Sequence, residues 1–377
     1  SGSQADASLT LTINTGKVGS RATAWDGTTT PTSTDENTIN RLTVGIFDAS
    51  TKKVKTIVEL TSATTGGNSL SVSGNTATAK IVTTSLATGD DVLVAANAPA
   101  GNFAGVADET GFNAKTEGIE SAVISSSDNT KEINTNIPMY GASTLNGSGS
   151  TFTATVSVQH QLAKITLDNL SVDFAQDGPY KSATFKPTEF FLVNVPENLA
   201  FNKEAVNGTN HFHGCNIASS DYSSLSWITS LPSNWGSYKE FLATGALSGS
   251  ALSGIASSGT EKYGSKSFFY VTPSTDDTDN GKMKLIIAGD FDANGSGTTE
   301  KVFYPVAINA TYDAAGNATA ADGGTVFQVS PNKNYKCTVV IKTKGTTDPT
   351  KNLDPQTATV TVTVTDFVEA SQTTTFE

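Results

Sequence analysis

Residues Thr357–Thr365 read Thr-Ala-Thr-Val-Thr-Val-Thr-Val-Thr, an unbroken period of two. Ala358, Val360, Val362 and Val364 fall on one face and the threonines on the other. Alternate residues of an extended chain point to opposite sides, so this segment is a strand with one face made for burial. Its place in the chain narrows its use. It follows a stretch marked by Gly and Pro, Gly345–Pro355, and stands close to the C-terminus. A sticky strand on a tether invites aggregation unless something receives it. Two receivers are open: the same chain, which folds it back as a last strand, or a neighbouring molecule, which takes it as a donor strand.

The N-terminus mirrors this pattern. In Ser8–Asn14, Leu9, Leu11 and Ile13 alternate with Ser, Thr and Asn. A small, polar stretch follows, Gly16-Lys17-Val18-Gly19-Ser20-Arg21-Ala22. Flexible segments with exposed basic residues are where trypsin-like proteases cut. Leu9–Ile13 is expected to be an ordered strand of an N-terminal sandwich.

Between these ends the chain reads as all-β. Hydrophobic residues make up 37% and charged residues only 16% of the 377. Thr, Ser, Gly and Asn are abundant, and short alternating runs outnumber helical periods. Arg41–Asp48, Val54–Leu60, Ala77–Thr83, Asp91–Ala96, Ala183–Val195, Lys266–Thr272, Met283–Phe291, Lys301–Asn309 and Tyr335–Thr343 are expected strands. Thr116–Val123 and Ser237–Leu242 are expected short helices. Phe152–Leu167 alternates with a phase slip near His160–Leu162. The Gly-Ser run Asn146–Ser150 marks the expected domain junction, and Asn280-Gly281 and Asn294-Gly295 signal hairpin turns. The length suits two domains, and two β-sandwiches in tandem follow. A net charge of −12 argues against nucleic acid or an anionic membrane as partner. Cys215 and Cys337 allow one bridge but no disulfide framework, and no stretch reaches transmembrane length.

Candidate chemical sites are few. His211, His213 and Cys215 alternate as metal ligands would on one strand face, but only three ligands are present and the preceding Asn207–Asn210 reads as a turn. Asp290-Phe291-Asp292-Ala293-Asn294-Gly295 opens like a calcium loop. Lys301 then occupies the twelfth position, where that loop needs Glu, and Glu300 falls one place early, so a hairpin tip is expected. Asp276-Asp277-Thr278-Asp279 reads as a solvated loop. Trp25, Trp227 and Trp235 suit a sugar platform or ordinary core positions. No nucleophile elbow and no phosphate loop is found.

Several local sequences resemble the fimbrillins of Bacteroidales, the shaft subunits of type V pili. They are Leu42-Thr43-Val44-Gly45-Ile46-Phe47-Asp48, Val92–Pro99, Leu162-Ala163-Lys164-Ile165-Thr166-Leu167, Phe269-Tyr270-Val271, Phe303-Tyr304-Pro305-Val306 and Asn334–Lys342. Their order spans nearly the whole chain. The resemblance implies two tandem transthyretin-like, Greek-key β-sandwich domains. Residues 1–150 would hold the removable first strand and its groove, 151–352 the second sandwich, and 353–377 a donor segment. It implies a precursor exported as an outer-membrane lipoprotein. A trypsin-like protease would cut between Arg21 and Ala22 and remove Leu9, Leu11 and Ile13. Ala358, Val360, Val362 and Val364 of the next subunit would fill the groove, and Phe367 and Val368–Phe376 would extend that contact. The polymer would be a surface fimbria serving adhesion and biofilm formation. Its partners would be further copies of the chain, accessory anchor and tip pilins, and surface receptors, with no cofactor and no catalysis.

The residue chemistry is compatible with such an exchange. Both terminal segments offer small to medium apolar side chains at period two. Burying three valines contributes roughly 5–8 kcal/mol gross. Two other classes compete. A surface glycan-binding β-sandwich lipoprotein needs exposed aromatics in one cleft, and a secreted sandwich hydrolase needs converging carboxylates.

Overall fold

The computed structural model describes residues 7–15, 36–73, 76–123, 133–202, 205–207, 251–253, 262–263, 267–347 and 367–376. The strands of the first half are β1 (Ala7–Thr15), β2 (Leu42–Phe47), β3 (Val54–Leu60), β4 (Ser69–Ser73), β5 (Thr76–Thr83), β6 (Asp91–Ala96), β7 (Thr116–Gly118), β8 (Met139–Thr144), β9 (Asn146–Ser148) and β10 (Thr151–His160). Those of the second half are β11 (Ala163–Val172), β12 (Thr184–Val193), β13 (Asn198–Ala200), β14 (Leu252–Ser253), β15 (Lys262–Tyr263), β16 (Ser267–Val271), β17 (Lys284–Asp292), β18 (Glu300–Ala307), β19 (Thr311–Tyr312), β20 (Ala318–Thr319), β21 (Lys333–Ile341) and β22 (Val368–Phe376). Two short helices, Glu109–Asn113 and Ile119–Val123, complete the described elements. The all-β expectation holds.

The first half is one sheet in the order β3-β2-β6-β8-β10-β1-β5-β4, with β9 also on β10. β8 meets β10 through Gln159 and His160 alone, so the ladder turns a corner there. The two limbs share one core. Leu42, Val44, Ile46, Val92 and Val94 cluster with Ala77, Ala79, Ile81, Phe152, Ala154 and Val156. β5 and β10 alternate buried and exposed residues, as strands with one wet face must. β2 is buried throughout, because residues 98–123 cover its second face. There Phe47 meets Phe112 edge-on at 5.8 Å, and Phe103 stacks on Phe112 at 4.1 Å. Gly45 makes room for this layer, since a Cβ there would lie 2.6 Å from the Phe47 ring. Asp108 caps the helix that carries Phe112, accepting from Gly111 N–H at 2.8 Å.

In the second half one sheet runs β15-β11-β21-β22, with β16 also on β11, and another runs β14-β12-β17-β18. Ile165, Leu167, Tyr335, Cys337, Val339 and Ile341 of the first pack in one cluster with Phe185, Leu192, Leu285 and Tyr304 of the second. Asn294-Gly295 forms the tip of the β17–β18 hairpin, with Gly295 at φ 71°. The two halves meet where β7 pairs antiparallel with β13, and where Phe103 meets Phe201 at 5.3 Å.

The Gly-Ser run Asn146–Ser150 lies in the β9–β10 hairpin, with Gly147 at φ 149° and Gly149 at φ 66°. Glycine serves tight turns as readily as linkers. β10 belongs to the first sheet and β11 to the second half. Thr116–Val123, expected as one short helix, begins as β7 and becomes helical at Ile119.

Candidate strand-exchange site

β1 lies inside the first sheet, antiparallel to β5 and parallel to β10. Leu9 stands opposite Ile81 and Phe152, Leu11 opposite Ala79 and Ala154, and Ile13 opposite Ala77 and Val156. All six of these partners are buried. Among the described strands β1 alone joins the β4–β5 hairpin to β10. Without it, β5 and β10 would each present a row of backbone donors and acceptors with no ladder partner. Such a slot accepts a strand and little else. Three of the six facing residues, Ala77, Ala79 and Ala154, are small.

The far end of the chain docks elsewhere. β22 pairs in parallel with β21 from Lys333 opposite Val368 to Ile341 opposite Phe376. In this monomer Val368–Phe376, expected to extend the donor contact, is the outer strand of its own sheet. Phe367 just before it is buried. Its ring stacks on His160 with centroids 4.1 Å apart and planes at 6°. The Lys164 Nζ stands 4.7 Å from the same ring centroid and 5.1 Å from that of Phe268.

Lys164 is 1% exposed, so its charge needs a partner. Glu36 supplies one, with its carboxylate oxygens at 2.8 and 3.0 Å from Nζ. The Tyr270 hydroxyl donates to Glu36 Oε2 at 2.6 Å. The His160 Nε2 donates to the Glu36 carbonyl oxygen at 3.0 Å, and Nδ1 lies 3.2 Å from Asn332 Oδ1. Burial pushes the His160 pKa below its ordinary 6.5, which keeps the ring neutral. Its contribution to stability is therefore complete above pH 6.5 and declines as pH falls below that. Glu36→Ala leaves the Lys164 ammonium buried without its carboxylate. The expected loss is roughly 3–5 kcal/mol, read as a lower urea midpoint at unchanged slope.

Sequence reasoning did not find this cluster. Its charged partners lie 128 residues apart. The one available signal was a lysine inside the apolar run Leu162–Leu167.

Arg21 and Ala22, the donor residues Ala358, Val360, Val362 and Val364, the His211, His213 and Cys215 set, the segment Ser237–Leu242, and Trp25, Trp227 and Trp235 all lie outside the described residues. Among the described residues no three His, Cys, Asp or Glu side chains converge as metal ligands would. Asp292 of the calcium-like stretch instead accepts the backbone N–H groups of Gly297 at 2.7 Å, Ser296 at 3.1 Å and Asn294 at 3.3 Å. Those bonds lower its pKa and tie the hairpin tip together. Cys337 is a buried free thiol.

The site this fold builds is a slot in a sheet, filled by the strand β1. Residues 7–168 are similar to the family model described as Major fimbrial subunit protein (FimA). The match takes in the whole β1 slot together with His160 and Lys164. The chain is also similar to the crystal structure of a candidate cell adhesion protein from Bacteroides eggerthii, at 21% identity and a TM-score of 0.56, over 100% of this chain and 98% of that one. A second candidate cell adhesion protein, from Parabacteroides distasonis, matches at 15% identity and a TM-score of 0.55, over 99% of each chain. At these identities the likeness is one of fold. No curated protein matches the sequence.

Proposed function

We propose that this chain is a structural shaft subunit of a fimbria that polymerises by strand exchange. A trypsin-like protease cuts after Arg21 and β1 departs. Residues Thr357–Thr365 of the next subunit then enter between β5 and β10. The observation that carries this reading is the position of β1: it is an interior strand supplied by the chain's own N-terminal segment, opposite buried apolar residues. The family match over residues 7–168 supports a fimbrial role.

The tail geometry adds a requirement. Phe367 is docked on its own subunit, and two residues span at most about 7 Å. A segment that ends two residues before Phe367 cannot move far from the Phe367 site while that ring stays docked. Donation needs Phe367 and β22 to undock first. The subunit acts as polymer and not as catalyst. It reaches the cell surface as an exported outer-membrane lipoprotein precursor, joins anchor and tip pilins, and presents the filament to host or bacterial receptors. A subunit that ends a filament would be expected to lack a free donor segment, so the alternating 357–365 segment favours a shaft role.

Limited trypsin digestion with N-terminal sequencing and negative-stain electron microscopy tests this. A new N-terminus at Ala22 together with filaments is the expected result. Clean cutting at Arg21 with monomers only would contradict it and favour a surface glycan-binding protein.

A further inference from the structure

β10 carries two features on one face. Its buried residues are Phe152, Ala154, Val156, Val158 and then His160. Residues two apart on a strand share a face. The wall of the β1 slot and the stacking partner of Phe367 are therefore one continuous row. β1 itself ends at Thr15, opposite Val158, one step along that row from His160.

β10 depends on β1 for its ladder. Among the described residues, Ala154–Val158 pairs with β1 alone. β9 takes Thr151–Thr153, and β8 takes Gln159 and His160. When β1 leaves, that span loses its one ladder partner among the described residues and keeps the close packing of Gly141 of β8 against Ser157. His160, the next inward residue of the same strand, feels any shift of that span against its pairing with Met139. Stacking at 4.1 Å and a lysine poised over the same ring are both sensitive to small displacements. The charged groups around the ring are Lys164 and Glu36, and burial keeps His160 neutral.

We propose that His160 and Lys164 form a binding site for an aromatic side chain, occupied in the monomer by Phe367, and that β10 couples this site to the β1 slot so that emptying the slot frees the tail. The inference rests on the strand-exchange reading and adds an order of events to it. An uncut subunit keeps its tail docked, and a cut one presents it. Coupling of this kind is reciprocal, so docking of Phe367 also favours a filled slot. His160 is a positioning residue here.

Hydrogen exchange on the full-length monomer tests the coupling, with the amides of Val368–Phe376 as reporter. Leu11→Ser weakens β1 at its register with Ala79 and Ala154. The expected result is exchange at least tenfold faster in β22, with β12 and β17 unchanged. An unchanged β22 in a variant whose β1 exchanges faster would overturn the proposal. Should Leu11→Ser also expose β2 and β6, His160→Gln decides. It leaves the sequence of β1 intact and removes the stacked ring. Faster exchange in both β22 and β1 is expected, and an unchanged rate in either overturns the coupling. Both measurements read monomers. A failure to form filaments after trypsin would count against the strand-exchange reading alone.

Discussion

Paired substitution Val360→Asp and Val362→Asp should abolish filament growth by this chain alone. In the proposed filament these positions enter the slot between β5 and β10, whose lining includes Ala77, Ala79, Ile81, Ala154 and Val156. Replacing two valines forgoes roughly 3–6 kcal/mol of burial. It also sends two carboxylates into an apolar core that holds no cation among its described residues, and the penalty for a buried unpaired charge exceeds the burial lost. The joint has no compensating contact of that size, so donation fails. The variant keeps its own slot, however, and after cutting it should still accept a donor. It then acts as a terminator. Mixed in equal amounts with cut wild-type subunits, it should shorten filaments in proportion to its share, as counted by electron microscopy. Full-length filaments from the pure variant would move the donor to another segment.

Arg21→Ala should give the opposite defect. Without the cut, β1 keeps its ladder with β5 and β10, and no incoming strand competes with a covalently attached one at high local concentration. The subunit cannot accept, yet its own 357–365 segment is unaltered. The expected yield of filaments is nil under protease conditions that convert wild-type protein. Cut Val360→Asp/Val362→Asp protein mixed with uncut Arg21→Ala protein should stop at heterodimers, because one partner only accepts and the other only donates. The coupling through His160 lowers the dimer yield further, since the uncut partner holds its tail docked. Normal filaments from Arg21→Ala would place the cut elsewhere, with Lys17 the next basic residue in that stretch.

Parts of this architecture are legible in the sequence for clear physical reasons. Ser8–Asn14 alternates cleanly, and alternation is what an interior strand with one core-facing side requires. The phase slip at His160–Leu162 marks the passage from β10 to β11, where the chain leaves one sheet for another. Asn294-Gly295 gives the β17–β18 turn because its residues tolerate positive φ.

Other parts were hidden. The run Asn146–Ser150 suits a linker and a tight turn equally, so composition could not separate them. β22 reads Val-Glu-Ala-Ser-Gln-Thr-Thr-Thr-Phe, with no regular alternation, and its parallel pairing with β21 is decided by tertiary contacts. The Glu36, Lys164, Tyr270 and Phe367 cluster draws on four distant segments. Pairing between distant charges leaves no periodic trace in a sequence.

The most direct test of the account is an electron cryomicroscopy reconstruction of the filament, read at the position between β5 and β10. The account predicts residues 357–365 of the neighbouring subunit there, with Ser8–Asn14 gone and Phe367 withdrawn from the His160 ring. A filament whose subunits keep their own β1 between β5 and β10 would contradict it.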